Sequence, residues 1–334
     1  MLIQNFNTRE KIFLIAEIGN NHEGSIKLAK KLIYLAKKNG ADAVKFQYIN
    51  PKKLVNYKIY PDRVKFLKKI CLSLRQLKEL RIYAKKVGII FFFSIFDYTN
   101  INNLSKIVPA FKIASGDNNI VSFINNLLKF KKPILFSSGM LTNREIKKII
   151  SQVKINKKKL SNKLCVMHCV SNYPVKFDDI NMLKINFLKK LNVTVGYSDH
   201  SMGIQSCIIA AALGAKIIEK HFTIDHNYSD FRDHKLSMNP KQLKELSSYL
   251  NDVTKILGQE ISAIPKTEEK NIKNNRRGIY ASRNLKKNQE IKSKDIILLR
   301  PQGKISADNL NQIKGRKVNR NISKLEELNL NNVS

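Results

Sequence analysis

Residues 207–223 read "CIIAAALGAKIIEKHFT", and the chain runs on as "IDHNYSDFRDHKLSMNP" to residue 240. A buried-looking apolar run leads into a short strand-like piece that ends in Glu219 and His221. The whole stretch from Glu219 to Pro240 then crowds three histidines, three aspartates and two lysines. A solvated loop would look like this, and so would the rim of an active site. The same pattern elsewhere decides between them. Short runs rich in β-branched or aromatic residues recur as "KIFLIAEIG", "ADAVKFQY", "GIIFFFSIF", "AFKIASG", "KPILFSSG", "LCVMHCV", "VTVGYSDH" and "AKIIEKHFT". Most are separated by stretches of helical spacing, such as Ile26-Leu28-Leu32-Leu35 and Ile146-Ile149-Ile150-Val153. Near-continuous apolar strands indicate a parallel sheet covered by helices. Eight such units within residues 1–258 predict an α/β fold of the (β/α)8 TIM-barrel type. No G-x-G-x-x-G follows the first strand and no Walker A motif occurs, which removes the usual nucleotide-binding readings.

The chain has 334 residues, 43% hydrophobic, enough for one large domain and a small one. No apolar run approaches the length of a membrane span. The N-terminus lacks a basic start and a cleavage site, so it reads as a strand and not as a signal peptide. The four cysteines, Cys71, Cys165, Cys169 and Cys207, form no C-x-x-C pair. Free thiols in a reducing cytoplasm are the expectation. The net charge of +35 invites a nucleic-acid partner. However, the basic residues are spread along helices and loops without interleaved aromatics, so no nucleic acid and no membrane partner is expected. The charge should still speed encounters with anionic substrates. Beyond residue 258 the texture changes. A polar, charged stretch, "KTEEKNIKNNRR" after Pro265, reads as a linker over 259–277. Residues 278–334 read as a separate small domain of short strands and turns, too short to bury much core alone.

Polar residues close every predicted barrel strand. They are Glu17; Lys45 and Gln47; Ser94; Lys112, Ser115 and Asp117; Ser137 and Ser138; His168 and then Tyr173; Ser198, Asp199 and His200; Glu219 and His221. Barrel enzymes place their sites at these C-terminal ends. Lys45 and Lys112 lie in apolar strands, where a buried ammonium is costly unless an anion compensates it. That anion is either a bound ligand or a neighbouring carboxylate such as Glu17 or Glu219. With Ser115, Ser137 and Ser198 the lysines would suit a phosphate and a carboxylate. His200 and His221 close adjacent strands at equivalent heights, a pairing that suits a first-row divalent metal completed by water. His168 is a candidate third ligand or outer-shell group. His22 and His226 read as loop residues.

The segments "AEIGNNHEGS", "GADAVKFQ", "FKIASGD", "SSGM", "HCVSNYP", "GYSDHSMG", "EKHFT" and "RDHKLSMNP", in this order, closely resemble the sialic acid (N-acetylneuraminate) synthase family. The tail "GIYASRNLKKNQEIKSKDIILLRPQG" resembles that family's C-terminal antifreeze-like (SAF) domain. The resemblance implies condensation of phosphoenolpyruvate with the open-chain aldehyde of an N-acetylated hexosamine, normally N-acetylmannosamine. Alternatives are a diacetamido sugar, giving legionaminate or pseudaminate, or a sugar 6-phosphate. It implies a divalent metal, manganese first and magnesium or cobalt otherwise, on His200 and His221, with Glu17 near the metal's water. It implies that Lys45, Lys112, Ser115, Ser137 and Ser198 bind phosphoenolpyruvate, that Gln47, Tyr173 and Asp233 face the sugar, and that Ser94 and Asp117 also belong to the substrate-binding set. It also implies a domain-swapped homodimer in which Arg300 reaches the neighbouring subunit's N-acetyl group. Two departures stand out. Asp117 stands where many members have glutamate, and "INPKKLVNYKIYPDRVKF" is shorter than in several bacterial members. "SGD" with His168 favours N-acetylneuraminate or legionaminate over pseudaminate. The competing readings are another metal-dependent barrel aldolase or 3-deoxy-sugar synthase, and a basic binding module with a degenerate site.

Overall fold

The computed structural model describes residues 1–258 and 263–334. The chain divides into two compact units, Met1–Gly258 and Gln259–Ser334. The first is a closed barrel of eight parallel strands. They are β1 (Phe13–Gly19), β2 (Ala43–Tyr48), β3 (Ile90–Ile95), β4 (Phe111–Ile113), β5 (Ile134–Ser137), β6 (Leu164–Cys169), β7 (Thr194–Asp199) and β8 (Ile217–His221). Each run expected from the sequence forms its strand, and β8 pairs with β1 to close the ring. Every residue of β1, β3, β6, β7 and β8 is buried, because the helices cover one face and the barrel interior the other.

The helices form where capping and spacing agree. Ser25 accepts from the Leu28 amide to start Ile26–Lys38. Thr142 and Glu145 form a reciprocal capping box ahead of Asn143–Gln152, as do Asn239 and Gln242 ahead of Pro240–Leu257. The buried stripe of the first helix is Leu28, Ala29, Leu32, Ile33 and Ala36. Ile26 and Leu35, expected on the same face, are partly buried and pack against the same core. Below the barrel, Leu2–Ile3 pairs antiparallel with Phe6–Asn7, and the Phe6 ring packs 4.7 Å from Phe13. Gly196 of β7 is closely enclosed, so that a side chain there would push its neighbours aside. An added Cβ would lie 3.0–3.1 Å from Met167, Cys165 and the Ile217 carbonyl.

The second unit holds an antiparallel pair, β9 (Gly278–Ala281) with β10 (Ile296–Leu299). Its core is its own: Ile279, Ala281, Leu285, Ile291, Ile313, Val318, Ile322 and Leu328 are all buried. This corrects the expectation that the tail buries little by itself. Its apolar residues are scattered singly among polar ones, so the core emerges only when the turns bring them together. The stretch expected to be a linker also differs, since Lys266–Asn275 is a helix with no buried residue. Residues 259–262 of that stretch lie outside the described residues. Among the described residues no helix is long and apolar enough to cross a membrane.

Candidate active site

The eight strand ends deliver their polar side chains into one place. A deep cavity of about 100 Å³ is lined by Glu17, Lys45, Gln47, Ser94, Lys112, Ser115, Ser137, Tyr173, Ser198, His200, Glu219 and His221, with Phe96, Ala114 and Cys169. Above it opens a larger cavity of about 1000 Å³, which shares Gln47, Tyr173 and His221 and adds Asp117 and Asp233. Thus thirteen of the fourteen residues to which the family resemblance assigns a role line these two cavities. Arg300 does not; it is exposed just beyond β10 in the other unit.

Cross-strand register sets the deep site. Lys45 Nζ lies 2.7 Å from Glu17 Oε2 and donates to Ser94 Oγ at 2.8 Å. Lys112 Nζ donates to Ser137 Oγ at 2.6 Å and lies 3.6 Å from Glu219 Oε1. Ser198 Oγ donates to Glu219 at 3.0 Å. All of these groups are almost fully buried. The cations therefore already have internal counterions, Glu17 and Glu219, as the carboxylate alternative held. The balance is uneven. Burial pushes the Glu17 carboxyl up to about 7, against the pull of Lys45. Burial also opposes ionisation of Glu219, yet Lys112, Lys45 and the Ser198 hydroxyl outweigh it and hold that carboxyl down at about 2. Burial lowers Lys112 more than Glu219 raises it. One carboxylate is thus firmly ionised and the other is poised to exchange a proton near neutrality.

The imidazoles of His200 and His221 sit with ring centroids 5.6 Å apart, and the Tyr173 ring lies 4.1 Å from His200. His200 Nδ1 donates to the Val170 carbonyl at 2.8 Å, since a carbonyl can only accept. That leaves Nε2 as the ring atom open to a ligand. His221 Nδ1 is buried with no hydrogen-bond partner, and burial, then His200, lowers the ring's pKa far below its ordinary value. A buried, neutral imidazole with an unused nitrogen beside a second imidazole fits a divalent first-row cation. Among the described residues no group of three or more His, Cys, Asp and Glu side chains is arranged to hold a metal. Water and substrate oxygens would have to complete the shell. Gly19, at φ +54°, keeps the space open: a Cβ there would lie 3.3 Å from Glu17 Oε1 and 3.5 Å from His221.

Strand alternation sends neighbouring groups outward. Asp199 and Lys220, beside the two histidines in sequence, form a buried ion pair at 2.6 Å outside the site. Asp199 also accepts from Tyr197 Oη and from Ser201, and Lys220 donates to the Ser201 carbonyl. His168 is not a ligand of the pair. Its Nε2 donates to the Ile180 carbonyl at 2.6 Å, and the ring faces Tyr197. Ser138 donates to the Met167 carbonyl and does not line the site. His22 Nδ1 accepts from the Gly24 amide, and His226 bonds Gln242, so both are loop residues as read.

Sequence reasoning missed Cys169, whose Sγ accepts from Ser115 at 3.5 Å and lies 3.8 Å from His200 Nδ1. Burial opposes both charged forms, but each group draws the other toward its charged state, so the thiol's pKa falls and the imidazole's rises. It also missed the rim network. Ser229 Oγ donates to Glu23 at 2.7 Å and His234 Nε2 lies 3.0 Å from the same oxygen, tying the loop after β8 to the loop after β1. Asn20 donates to Gln47 at 2.9 Å, fixing the amide of a predicted sugar contact. The signal was the density of polar residues in "GNNHEG" and "NYSDFRDH"; their partners lie some 200 positions apart, as Glu23 and His234 do (separation 211).

A parallel barrel with a polar, water-accessible constellation at the C-terminal strand ends defines a (β/α)8-barrel enzyme. The chain belongs to the NeuB family, whose sequence model matches residues 32–262, and it carries a SAF domain matched over residues 276–329. It is similar to the N,N'-diacetyllegionaminic acid synthase of Campylobacter jejuni, at 34% identity over 93% of this chain and 97% of that protein. It is also similar to the human N-acetylneuraminate-9-phosphate synthase, at 35% identity over 74% of this chain and 71% of that protein. Among solved structures, the N-acetylneuraminic acid synthetase of Leptospira borgpetersenii, in complex with citrate, superposes with a TM-score of 0.74. That match has 32% identity and covers 81% of this chain and 94% of that one. The chain is accordingly an enzyme of the nonulosonic acid synthase group.

Proposed function

We propose that the enzyme condenses phosphoenolpyruvate with the open-chain aldehyde of a free N-acetylated hexosamine and water, releasing phosphate and a nine-carbon 2-keto acid. The observation that carries this is the convergence of Lys45, Lys112 and four serines in a buried cavity that opens, past His200 and His221, into the larger one. The lysines and Ser94, Ser115, Ser137 and Ser198 bind the phosphate and carboxylate; an arriving anion takes over part of the counterion role of Glu17 and Glu219. A divalent cation on His200 and His221, manganese by preference, would polarise the aldehyde oxygen as a Lewis acid. The enol carbon forms a bond to the aldehyde carbon, leaving C2 oxocarbenium-like. Water adds at C2, and phosphate departs from the tetrahedral intermediate by C–O cleavage. Glu17, half-protonated near neutrality, exchanges the proton of that water. Gln47, Asp117, Tyr173 and Asp233 orient the sugar. Arg300 of a second copy completes the pocket in a domain-swapped homodimer.

The wall of the larger cavity bears on which sugar is used. Among the described residues Ile49, Leu54, Phe66, Leu67, Ile70, Phe96 and Phe231 line it, together with one cation, Arg63, and four carboxylates, Glu23, Asp117, Asp230 and Asp233. That surface disfavours a sugar phosphate and suits methyl groups. It favours a 6-deoxy diacetamido hexose, the legionaminate-type acceptor, over N-acetylmannosamine. A product assay with N-acetylmannosamine, its 6-phosphate and the diacetamido trideoxyhexoses tests both levels. Highest kcat/KM is expected with a diacetamido sugar; preference for the 6-phosphate would overturn the acceptor assignment. No phosphate release with any of them would overturn the function.

A further inference from the structure

We propose that the opposite end of the barrel carries a second anion site, built for a small phosphate-bearing molecule. A cavity of about 490 Å³ opens there, beside the starts of β3, β4 and β5. Arg81, Lys85, Lys106 and Lys132 line it, and no carboxylate does. Its floor includes the buried side chains of Ile89 and Phe91. The cations come from three separate segments: the helix Leu74–Val87, the turn after Ile101–Ser105, and the residue pair just before β5. The cluster is therefore made by the fold and not by a local run of lysines. Among the described residues none of the four is ion-paired with a carboxylate, although Lys11, Lys30 and Lys53 elsewhere on the surface are.

Lys132 anchors the cluster. Its ammonium donates to the Ser105 carbonyl and, at 2.6 Å, to the Val108 carbonyl. Two of its three N–H groups are thus spent holding it half-buried at the cavity, and one is left. Burial and then the nearby Arg81 guanidinium lower its pKa. A bound anion would relieve that repulsion. A single carboxylate offers too few acceptors for a guanidinium and three ammonium groups, whereas a phosphate dianion offers three oxygens and twice the charge. The cavity has room beyond the phosphate itself, and the Ile89–Phe91 floor offers an apolar surface to the group that carries it.

The test is calorimetric titration of the full chain with inorganic phosphate and with adenosine monophosphate, at low salt. Saturable binding outside the catalytic cavity is expected. In Arg81→Ser/Lys85→Ser/Lys106→Ser it should weaken by at least about tenfold, with thermal midpoint and turnover unchanged. A control with the same loss of charge, Lys31→Ser/Lys241→Ser/Lys244→Ser, should bind like the parent. Tighter binding of the nucleotide would assign a phosphate ester, and equal binding would assign phosphate alone. Equal weakening in the control, or unchanged binding in the cavity variant, would overturn the proposal. Lys132→Gln provides a second check that touches no exposed charge; it should also weaken binding.

Discussion

At the tips of β7 and β8, consecutive residues do opposite things. His200 and His221 turn into the barrel, where they share a cavity with Glu17, Lys45 and Lys112. Asp199 and Lys220, one position earlier in each strand, turn outward and bury an ion pair at 2.6 Å between strands and covering helix. Both pairs are buried and polar. The inner pair keeps a nitrogen without a partner, His221 Nδ1, whereas Asp199 accepts from a lysine, a tyrosine and a serine. Asp199, saturated with hydrogen bonds, braces the fold, whereas the unused nitrogen of His221 belongs to a residue that lines the cavity and is available to a ligand there.

That contrast can be broken at either pair. Lys220→Met leaves Asp199 charged, buried and unpaired. It should cost about 3–5 kcal/mol of stability, read from the urea midpoint, while the metal content of the surviving folded enzyme stays unchanged. His221→Ala should do the reverse. The expected loss is about 10²–10³-fold in kcat/KM, with reduced manganese occupancy by elemental analysis and a nearly unchanged melting temperature. A large stability loss in His221→Ala would erase the distinction between the pairs.

His22 sharpens the same contrast from a third position, because it is buried outside the site with the Gly24 amide donating to its Nδ1. Burial pushes its pKa down to about 4 from 6.5. Between these values the unfolded chain holds a proton that the folded chain does not, so stability rises with pH. As pH falls from about 6.5 toward about 4, up to about 3 kcal/mol should be lost. Urea midpoints measured across that range should fall less steeply in His22→Gln; an identical slope would remove His22 as the source. The smallest effect is expected at Arg300. Arg300→Ala should weaken the sugar by about 1.5–3 kcal/mol and leave metal binding intact. If it acts across a dimer, mixing Arg300→Ala with His221→Ala subunits restores one intact site per heterodimer. No recovery in a verified heterodimer would place Arg300 in its own chain's site or outside the site altogether.

The sequence alone determined the barrel, because eight apolar runs with helical spacing between them have few other ways to bury their surface. It also determined which end holds the site, since Glu17, Lys45, Lys112, His200 and His221 punctuate strands that are otherwise apolar. Only the tertiary structure decided which face each residue takes. A strand buried on both sides shows no alternation, so "LCVMHCV" does not reveal that Cys169, and not His168, reaches the central cavity. The internal counterions of the lysines, the 211-residue link between Glu23 and His234 and the core of the C-terminal unit were likewise decided by the fold. Periodicity reports the local chain path, but a buried charge is balanced by whichever partner the barrel's register brings beside it.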